Sequence, residues 1–95
     1  MPRKKREIND ALLSKGFEKR QGSKHELYIY VFEEKKTAIG TKLSRGSMNM
    51  DINDNLLYGF IKMQLKVTNR QLDDLIDCPM SAQDYEKHLR MRGLI

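Results

Sequence analysis

The chain contains one strongly strand-like run, Leu27-Tyr28-Ile29-Tyr30-Val31-Phe32, and the residues Gly22-Ser23-Lys24-His25 lie shortly ahead of it. The run is rich in the β-branched and aromatic residues typical of strands, and Gly and Ser are typical of turns. We therefore predict a long strand over residues 25–34 that begins at a turn. We expect any chemistry of this chain at His25, at the mouth of the strand, because a histidine can exchange a proton near neutral pH.

The segments on either side of this strand predict a small antiparallel sheet behind a helix. Residues 17–21 are predicted as a short edge strand, and residues 37–44 as the partner after a hairpin tip at Lys35-Lys36. The apolar spacing ahead of Gly16 predicts a first helix over residues 5–15. The first half of the chain is thus a helix followed by a three-stranded meander.

The second half predicts three helices after a loop over residues 45–50. The first of them begins near residues 51–54 and has a wide apolar face, so we expect it to bury two of its sides. Its two apolar stripes are Ile52, Leu56, Phe60, Met63 and Val67, and beside them Leu57, Ile61 and Leu65. The capping pair Thr68–Gln71 predicts a short helix, the third of the whole chain. The capping pair Ser81–Asp84 predicts the last helix, which ends at Gly93. The predicted fold class is α+β.

Alternation along the central strand leaves both of its faces apolar. Leu27, Ile29 and Val31 share a face with His25, whereas the aromatic side chains occupy the other. If the aromatic row packs against the helices, His25 lies on the open face; the reverse assignment turns it toward the core. The second apolar face is then a candidate protein interface, including that of a possible homodimer.

Composition restricts the classes of protein to be considered. With 95 residues the chain is one domain, too short for a separate cofactor domain, and we expect no cofactor. Residues 1–47 hold 12 basic and 6 acidic side chains, whereas residues 48–95 hold 6 and 7. The positive half favours phosphate-bearing partners through electrostatic attraction, although a merely soluble basic surface has the same composition.

Several features are expected to have ordinary structural roles. The chain has one cysteine, Cys78, which excludes an internal disulfide and is expected to pack as a small apolar residue. We expect the chain to be cytoplasmic and not bound to a membrane. The basic run Met1–Arg6 is expected to fray. Asp73-Asp74 is interpreted as a solvated helix flank, which argues against a metal nuclease, and His88 as a surface residue.

Three features in order carry a family resemblance: Lys15-Gly16-Phe17 at the end of a helix, Arg20-Gln21-Gly22-Ser23-Lys24-His25 opening a strand with Tyr28, and a helix after the third strand. This pattern resembles the HicA-like (YcfA-like) toxins of toxin–antitoxin pairs over about residues 5–66. The resemblance implies a reduced double-stranded-RNA-binding-domain-like fold over residues 1–66, with residues 67–95 as a helical extension on the same core. It also implies metal-independent cleavage of mRNA by one histidine, here His25, and a HicB-like antitoxin as partner.

For such a site we predict His25 as the general base that takes the proton of a 2′-hydroxyl. Lys24, Lys42 and Arg45 are the predicted cations at the phosphate, with Ser23 and the amide of Gly22 as further donors. Lys19 and Arg20 are predicted to hold the RNA backbone. Two alternatives remain open, a module that binds structured RNA without chemistry and a protein-interaction module that uses the apolar strand face.

Overall fold

The computed structural model describes residues 2–77 and 79–95. Over these residues it is an α+β fold with four helices and a three-stranded antiparallel sheet, as predicted. The elements are β1 (Arg3–Lys4), α1 (Lys5–Ser14), β2 (Phe17–Gln21), β3 (His25–Phe32), β4 (Lys35–Ser44), β5 (Asp51–Ile52), α2 (Asp54–Leu56), a π-helical segment (Leu57–Ile61), α3 (Lys62–Leu65), α4 (Asn69–Asp77) and α5 (Ala82–Met91). The segments α2, Leu57–Ile61 and α3 run on without a break, and we call them the central helix. The expected packing of Cys78 lies outside the described residues.

The first helix ends where the sequence predicts. Ile8, Ala11 and Leu12 are buried on one face of α1, and Lys15 follows as its C-cap. Gly16 has a φ of 99°, a left-handed conformation that favours glycine and turns the chain back. Phe17 then re-enters the core at the start of β2, only 5 % exposed.

The three long strands form a sheet of order β2-β3-β4. Phe17 pairs with Tyr30 across β2 and β3, and His25 pairs with Ser44 across β3 and β4. This meander follows the prediction, and its middle strand is the apolar run that defined it.

The hairpin between β3 and β4 differs from the prediction, because its tip is Glu33-Glu34 and not Lys35-Lys36. These two residues have φ values of 51° and 66°, as a two-residue hairpin loop with matching twist requires. The pairing with β3 then shifts between Ile29 and Val31, which leaves a bulge in β4. The Thr37 hydroxyl fills the gap by donating to the Tyr30 carbonyl at 2.8 Å.

The sheet packs its aromatic face against the helices, and this settles the two assignments left open by alternation. Tyr28 and Tyr30 are 0 % and 3 % exposed. The Tyr30 ring lies 5.3 Å from the Phe17 ring and 5.3 Å from the Tyr85 ring of α5, centroid to centroid. The opposite face of the sheet, which we call the open face, carries His25 and the exposed Leu27.

The central helix buries one side and not two. Leu57, Ile61 and Leu65 are fully buried, whereas Phe60 is 40 % and Met63 is 65 % exposed. The expectation of a second buried side is therefore wrong at Phe60 and Met63, whereas Ile52 and Val67 at the ends of the first stripe are buried. One side of the helix packs on β4 and the core, and the other side faces solvent.

Residues 67–95 complete the core of residues 1–66. Leu72, Leu75, Tyr85 and Leu89 are fully buried and belong to the same apolar cluster as the sheet residues. Both predicted capping pairs are present: in the first, the Thr68 amide donates to the Gln71 side chain at 2.9 Å, and the second caps α5 in the same way. Among the described residues, no helix is long and apolar enough to cross a membrane.

The basic N-terminus is held in place, so the expected fraying is wrong for residues 3–6. β1 pairs with β5, and the Lys5 amide donates to the Met50 carbonyl at 2.9 Å. The Arg3 guanidinium donates to Asp77 at 2.8 Å on α4. Arg3, Lys4 and Lys5 of this run therefore each pair with an acidic side chain of the protein itself.

Candidate functional site

The turn ahead of β3 depends on a glycine. The Gly22 amide donates to the His25 carbonyl at 2.8 Å, which closes the turn. A Cβ on Gly22 would lie 2.7 Å from the same carbonyl oxygen, closer than real Cβ atoms come. Gly22 therefore sets the path of the chain into His25, and its amide is already used for this purpose.

His25 lies at the first position of β3, on the open face and opposite Ser44. Its side chain is partly exposed. Over residues 2–77 and 79–95 the imidazole makes no hydrogen bond or ion pair with another side chain. Its ring nitrogens are thus available to a ligand, although no group in this described part of the chain orients the ring.

Arg45, just after β4, folds back over the turn. Its Nη1 donates to the Gly22 carbonyl at 3.3 Å and lies 3.5 Å from the Ser23 carbonyl, and its amide donates to the Lys24 carbonyl at 3.4 Å. These contacts place a guanidinium beside the residues that precede His25. No carboxylate of the described residues pairs with it, so its charge is available to an anion.

The remaining predicted cations divide between the two faces of the sheet. Lys42 pairs with Leu27, so both side chains belong to the open face, and Arg20 pairs with Leu27 from the other side. Lys24 is exposed in the turn. Within the described residues neither Lys24 nor Lys42 has an ion-pair partner, whereas Arg20 Nε lies 3.5 Å from Glu18 Oε1.

Lys19 is not brought together with these groups. Its ammonium donates to Asn9 Oδ1 of α1 at 3.0 Å and lies 3.5 Å from Glu26 Oε2. It also lies 5.8 Å from the centre of the Tyr28 ring, on the helix side of the sheet. Strand alternation explains the difference, since Lys19 and Arg20 point to opposite faces.

A buried polar cluster, which the sequence pattern did not predict, lies beneath the turn. Lys5 of α1 is completely buried, and its Nζ lies 2.6 Å from Glu26 Oε1, whose side chain is 11 % exposed. The same ammonium donates to the Gly46 carbonyl at 3.2 Å, and Gln21 donates to Glu26 Oε2 at 3.2 Å. Hydrogen bonding to Lys5 lowers the pKa of the Glu26 carboxyl despite its burial.

One signal in the sequence pointed toward this cluster. Glu26 has the same strand parity as Tyr28 and Tyr30, so burial of the aromatic row requires a buried carboxylate as well. A buried carboxylate needs a cation, but the basic side chains of the first half are too numerous to identify Lys5. Only the packing of α1 against the sheet selects it.

The groups expected to have structural roles are engaged more closely than predicted. His88 is half-buried, with Nε2 2.7 Å from the Lys66 carbonyl and Nδ1 3.5 Å from Gln71 Nε2. With a proton on Nε2, the ring donates to the Lys66 carbonyl and accepts from Gln71, so it links α5 to the end of α3. Asp73 accepts a hydrogen bond from the Tyr58 hydroxyl at 2.6 Å, so it is not merely a solvated side chain. This bond to the carboxylate raises the pKa of Tyr58.

No group of three or more His, Cys, Asp and Glu side chains within the described residues could hold a metal ion. Among the described residues, the open face combines the unpartnered imidazole of His25 with the cations of Arg20, Lys42 and Arg45 and with an apolar centre at Leu27. Comparison of the chain with protein-family models, with curated proteins and with solved structures finds no match.

Proposed function

We propose that this chain is a toxin-like ribonuclease that binds RNA on the open face and cleaves it without a metal, with His25 as general base. The single observation that carries the proposal is the imidazole of His25 on the open face, which has no partner among the described residues and lies beside cations that no carboxylate of those residues neutralises. An anionic substrate satisfies these charges, and an imidazole serves a reaction that begins with the removal of a proton.

The proposed reaction uses the substrate's own nucleophile. His25 takes the proton of a 2′-hydroxyl, the 2′-oxygen attacks the adjacent phosphorus, and the bond from phosphorus to the 5′-oxygen breaks. The leaving 5′-oxygen takes a proton from water or from a lysine ammonium. The products are a 2′,3′-cyclic phosphate and a free 5′-hydroxyl, and no metal is needed at any step.

The cations act on the charge that develops at phosphorus. Arg45 is held on the turn by the carbonyls of Gly22 and Ser23, so its remaining N–H groups are organised before substrate binds. Lys24 and Lys42 supply charge from either side, and Ser23 a hydroxyl donor. Arg20 reaches the phosphate backbone further along the open face, whereas Lys19 supports β3 from behind.

The element order supports the same proposal. The succession α1, β2, β3, β4 and central helix is the order that the HicA-like resemblance implies, and on this ground we infer a reduced double-stranded-RNA-binding-domain-like fold for residues 1–66. Residues 67–95 are then a stabilising extension, because Tyr85 and Leu89 fill the core behind the sheet. A HicB-like antitoxin would neutralise the protein by covering the open face and His25.

A second candidate is an RNA-binding module without chemistry. It is favoured by the absence, among the described residues, of a group that orients the His25 ring, and by the engagement of His88 with Lys66 and Gln71. The exposed Leu27 favours, in addition, an interaction with protein, either a partner or a second copy of the chain.

The test is incubation of the full chain and its His25→Ala variant with mixed-sequence single-stranded RNA in EDTA. The variant should remain folded, because His25 is partly exposed and has no side-chain partner to lose. Cleavage by the parent alone, with 2′,3′-cyclic or 3′-phosphate ends identified by mass spectrometry, is the expected result. Lys24→Gln is tested in the same assay as a variant of one proposed phosphate contact. Lys87→Gln, which changes an exposed lysine of α5, is its matched control and should cleave like the parent.

The alternatives predict different results. RNA binding by both proteins without cleavage by either would select the RNA-binding module. If the parent binds no RNA, and if Lys24→Gln, Lys42→Gln and Arg45→Gln do not differ from it in the same assays, an RNA function is refuted. The protein-interaction module is then the interpretation that is left.

A further inference from the structure

A shallow groove of about 250 Å³ lies across β3 and β4 next to the proposed reaction site. Leu27, Ile29 and Ala38 contribute apolar surface, Lys42 lies at one end, and Gln64 of α3 lines its side. Leu27 is two residues from His25 on the same face, a distance of about 7 Å along a strand. The groove thus lies next to the proposed site, with Leu27 as its nearest lining residue on β3, and no residue of the turn lines it.

The edge of the sheet at this groove is poorly suited to a partner strand. β4 is an edge strand, but the bulge interrupts its regular pairing near Thr37. The Ile39 amide is already bound to the Thr37 hydroxyl at 3.1 Å. Bulges and lysines, here Lys36 and Lys42, are common protections of sheet edges against strand addition.

The lining is suited to a small planar group with polar edges. The aliphatic side chains of Leu27 and Ile29 offer a surface on which a flat ring can lie. Thr41 pairs with Tyr28 and belongs to the helix side of the sheet, so Gln64 lines the groove from beside the edge strand β4 and not from the open face. The Thr41 hydroxyl donates to Gln64 Oε1 at 2.6 Å, which leaves the N–H groups of Gln64 without a partner among the described residues. Those N–H groups can donate to a ring nitrogen or carbonyl, and no acidic residue lines the groove.

We propose that this groove holds one unpaired base of the RNA strand whose phosphate lies at His25. The inference rests on the proposed function and adds to it a substrate class, single-stranded RNA recognised in part through a base. Lys42 contacts the phosphate between the groove and His25, and Gln64 reads an acceptor on the edge of the base. The volume is below the roughly 300–1,000 Å³ of pockets for larger ligands, which suits a single base.

The aromatic side chains of the described sheet do not lie on the open face, which leaves the apolar groove as the place on this face where a base can bind. Tyr28 and Tyr30 are buried on the helix side, so the open face has no aromatic platform of the kind that stacks successive bases. Recognition along the rest of the face is therefore by phosphate contacts that carry no base information.

The experiment measures binding apart from cleavage. The full chain is titrated by fluorescence anisotropy with an eight-nucleotide 2′-O-methyl RNA, which lacks the nucleophilic hydroxyl, and with versions that have one abasic position each. Ala38→Leu, on β4, fills the groove without contact to His25. Ala82→Leu is the matched control, because it makes the same change at an exposed alanine far along the chain, on α5.

We expect Ala38→Leu to weaken binding of the complete RNA about tenfold, the effect of losing one stacked base, and Ala82→Leu to leave it unchanged. One abasic position should weaken binding by the parent to the same extent, and Ala38→Leu should add nothing to that loss. Backbone amide signals of Leu27, Ile29 and Ala38 should shift when the parent binds the complete RNA.

Two results would overturn the inference while leaving the proposed function intact. The first is binding by Ala38→Leu that equals binding by Ala82→Leu. The second is an equal loss for complete and abasic RNA, since the new side chain would then obstruct the backbone and not a base. A parent that binds none of these RNAs, even in low salt, would instead refute the proposed function and the inference with it.

Discussion

The buried pair Lys5–Glu26 gives the sharpest test of how this fold is held together. We predict that Lys5→Met lowers the free energy of unfolding by about 3 kcal/mol, within the range of about 3–5 kcal/mol for breaking a buried ion pair. Methionine keeps most of the volume of the lysine stem but removes the ammonium from Glu26 Oε1, 2.6 Å away, and from the Gly46 carbonyl, 3.2 Å away. We expect the lower end of the range, because Glu26 retains its hydrogen bond from Gln21 and its proximity to Lys19.

Urea denaturation followed by far-ultraviolet circular dichroism measures this loss. With a slope of about 1.5 kcal/mol per molar urea, the transition midpoint should fall by about 2 M. Lys4→Met is the matched control. Its ammonium pairs with Asp51 at 2.7 Å, but both side chains are more than half exposed, so the loss should stay below about 1 kcal/mol.

The pH dependence provides an independent check. Since folding lowers the pKa of Glu26, its contribution is fully present above the unfolded value of about 4.3 and is lost as pH falls through the lower folded value. In Lys5→Met the carboxyl keeps its burial but loses the ammonium, so its pKa rises above that of the parent. The difference in stability between the parent and Lys5→Met should therefore be largest near neutral pH and shrink as the pH falls, because the variant's Glu26 takes up its proton first.

A second substitution tests the cause of the loss. Glu26→Gln added to Lys5→Met removes the uncompensated charge, so the double variant should be more stable than the sum of the single losses implies. Equal midpoints for Lys5→Met and Lys4→Met, or a difference that does not change in acid, would refute the reasoning.

Three further predictions concern the turns and the core. Glu34→Gly should raise the free energy of unfolding by about 0.5–1 kcal/mol, because glycine adopts the φ of 66° without steric cost, and Glu18→Gly in a strand should lower it. Gly22→Ala should destabilise by about 1–3 kcal/mol and shift the His25 amide signal, since the new Cβ would lie 2.7 Å from the His25 carbonyl; unchanged thermal and amide data would contradict the close approach. Tyr85→Phe should cost about 1–2 kcal/mol in urea denaturation, because it leaves the buried Leu65 carbonyl without the hydroxyl that donates to it at 2.8 Å.

Much of the fold follows from local patterns. The bounds of α1, the turn at Gly22-Ser23 and the two capping pairs of the last helices all agree with prediction, because each depends on residues within four positions of one another. The hairpin tip lies two residues earlier than predicted. Glu33 and Glu34 adopt the left-handed backbone conformation of such a tip, but glutamate, unlike glycine or asparagine, does not indicate that conformation in a sequence.

The candidate site was predicted as a set of residue types and only partly as an arrangement. Arg20, His25 and Lys42 share the open face, as strand alternation and register require. Lys19 and Lys5 could not be assigned in the same way, because their roles depend on the contact of α1 with the helix side of the sheet. The seat of Arg45 on the Gly22 and Ser23 carbonyls likewise depends on how the loop after β4 returns to the turn.

The sequence by itself determined the order of the three long strands and the four helices, the turn that precedes His25 and the uneven distribution of charge, because these depend on neighbouring residues and on composition. The tertiary structure alone decided which face of β3 is buried and which basic side chains remain free. Both faces of that strand are apolar, so alternation offers two equivalent choices until the helices cover one. Packing Tyr28 and Tyr30 beneath α1 and α5 made the choice, drew Lys5 and Lys19 to Glu26, and left His25 with Lys42 on the open side.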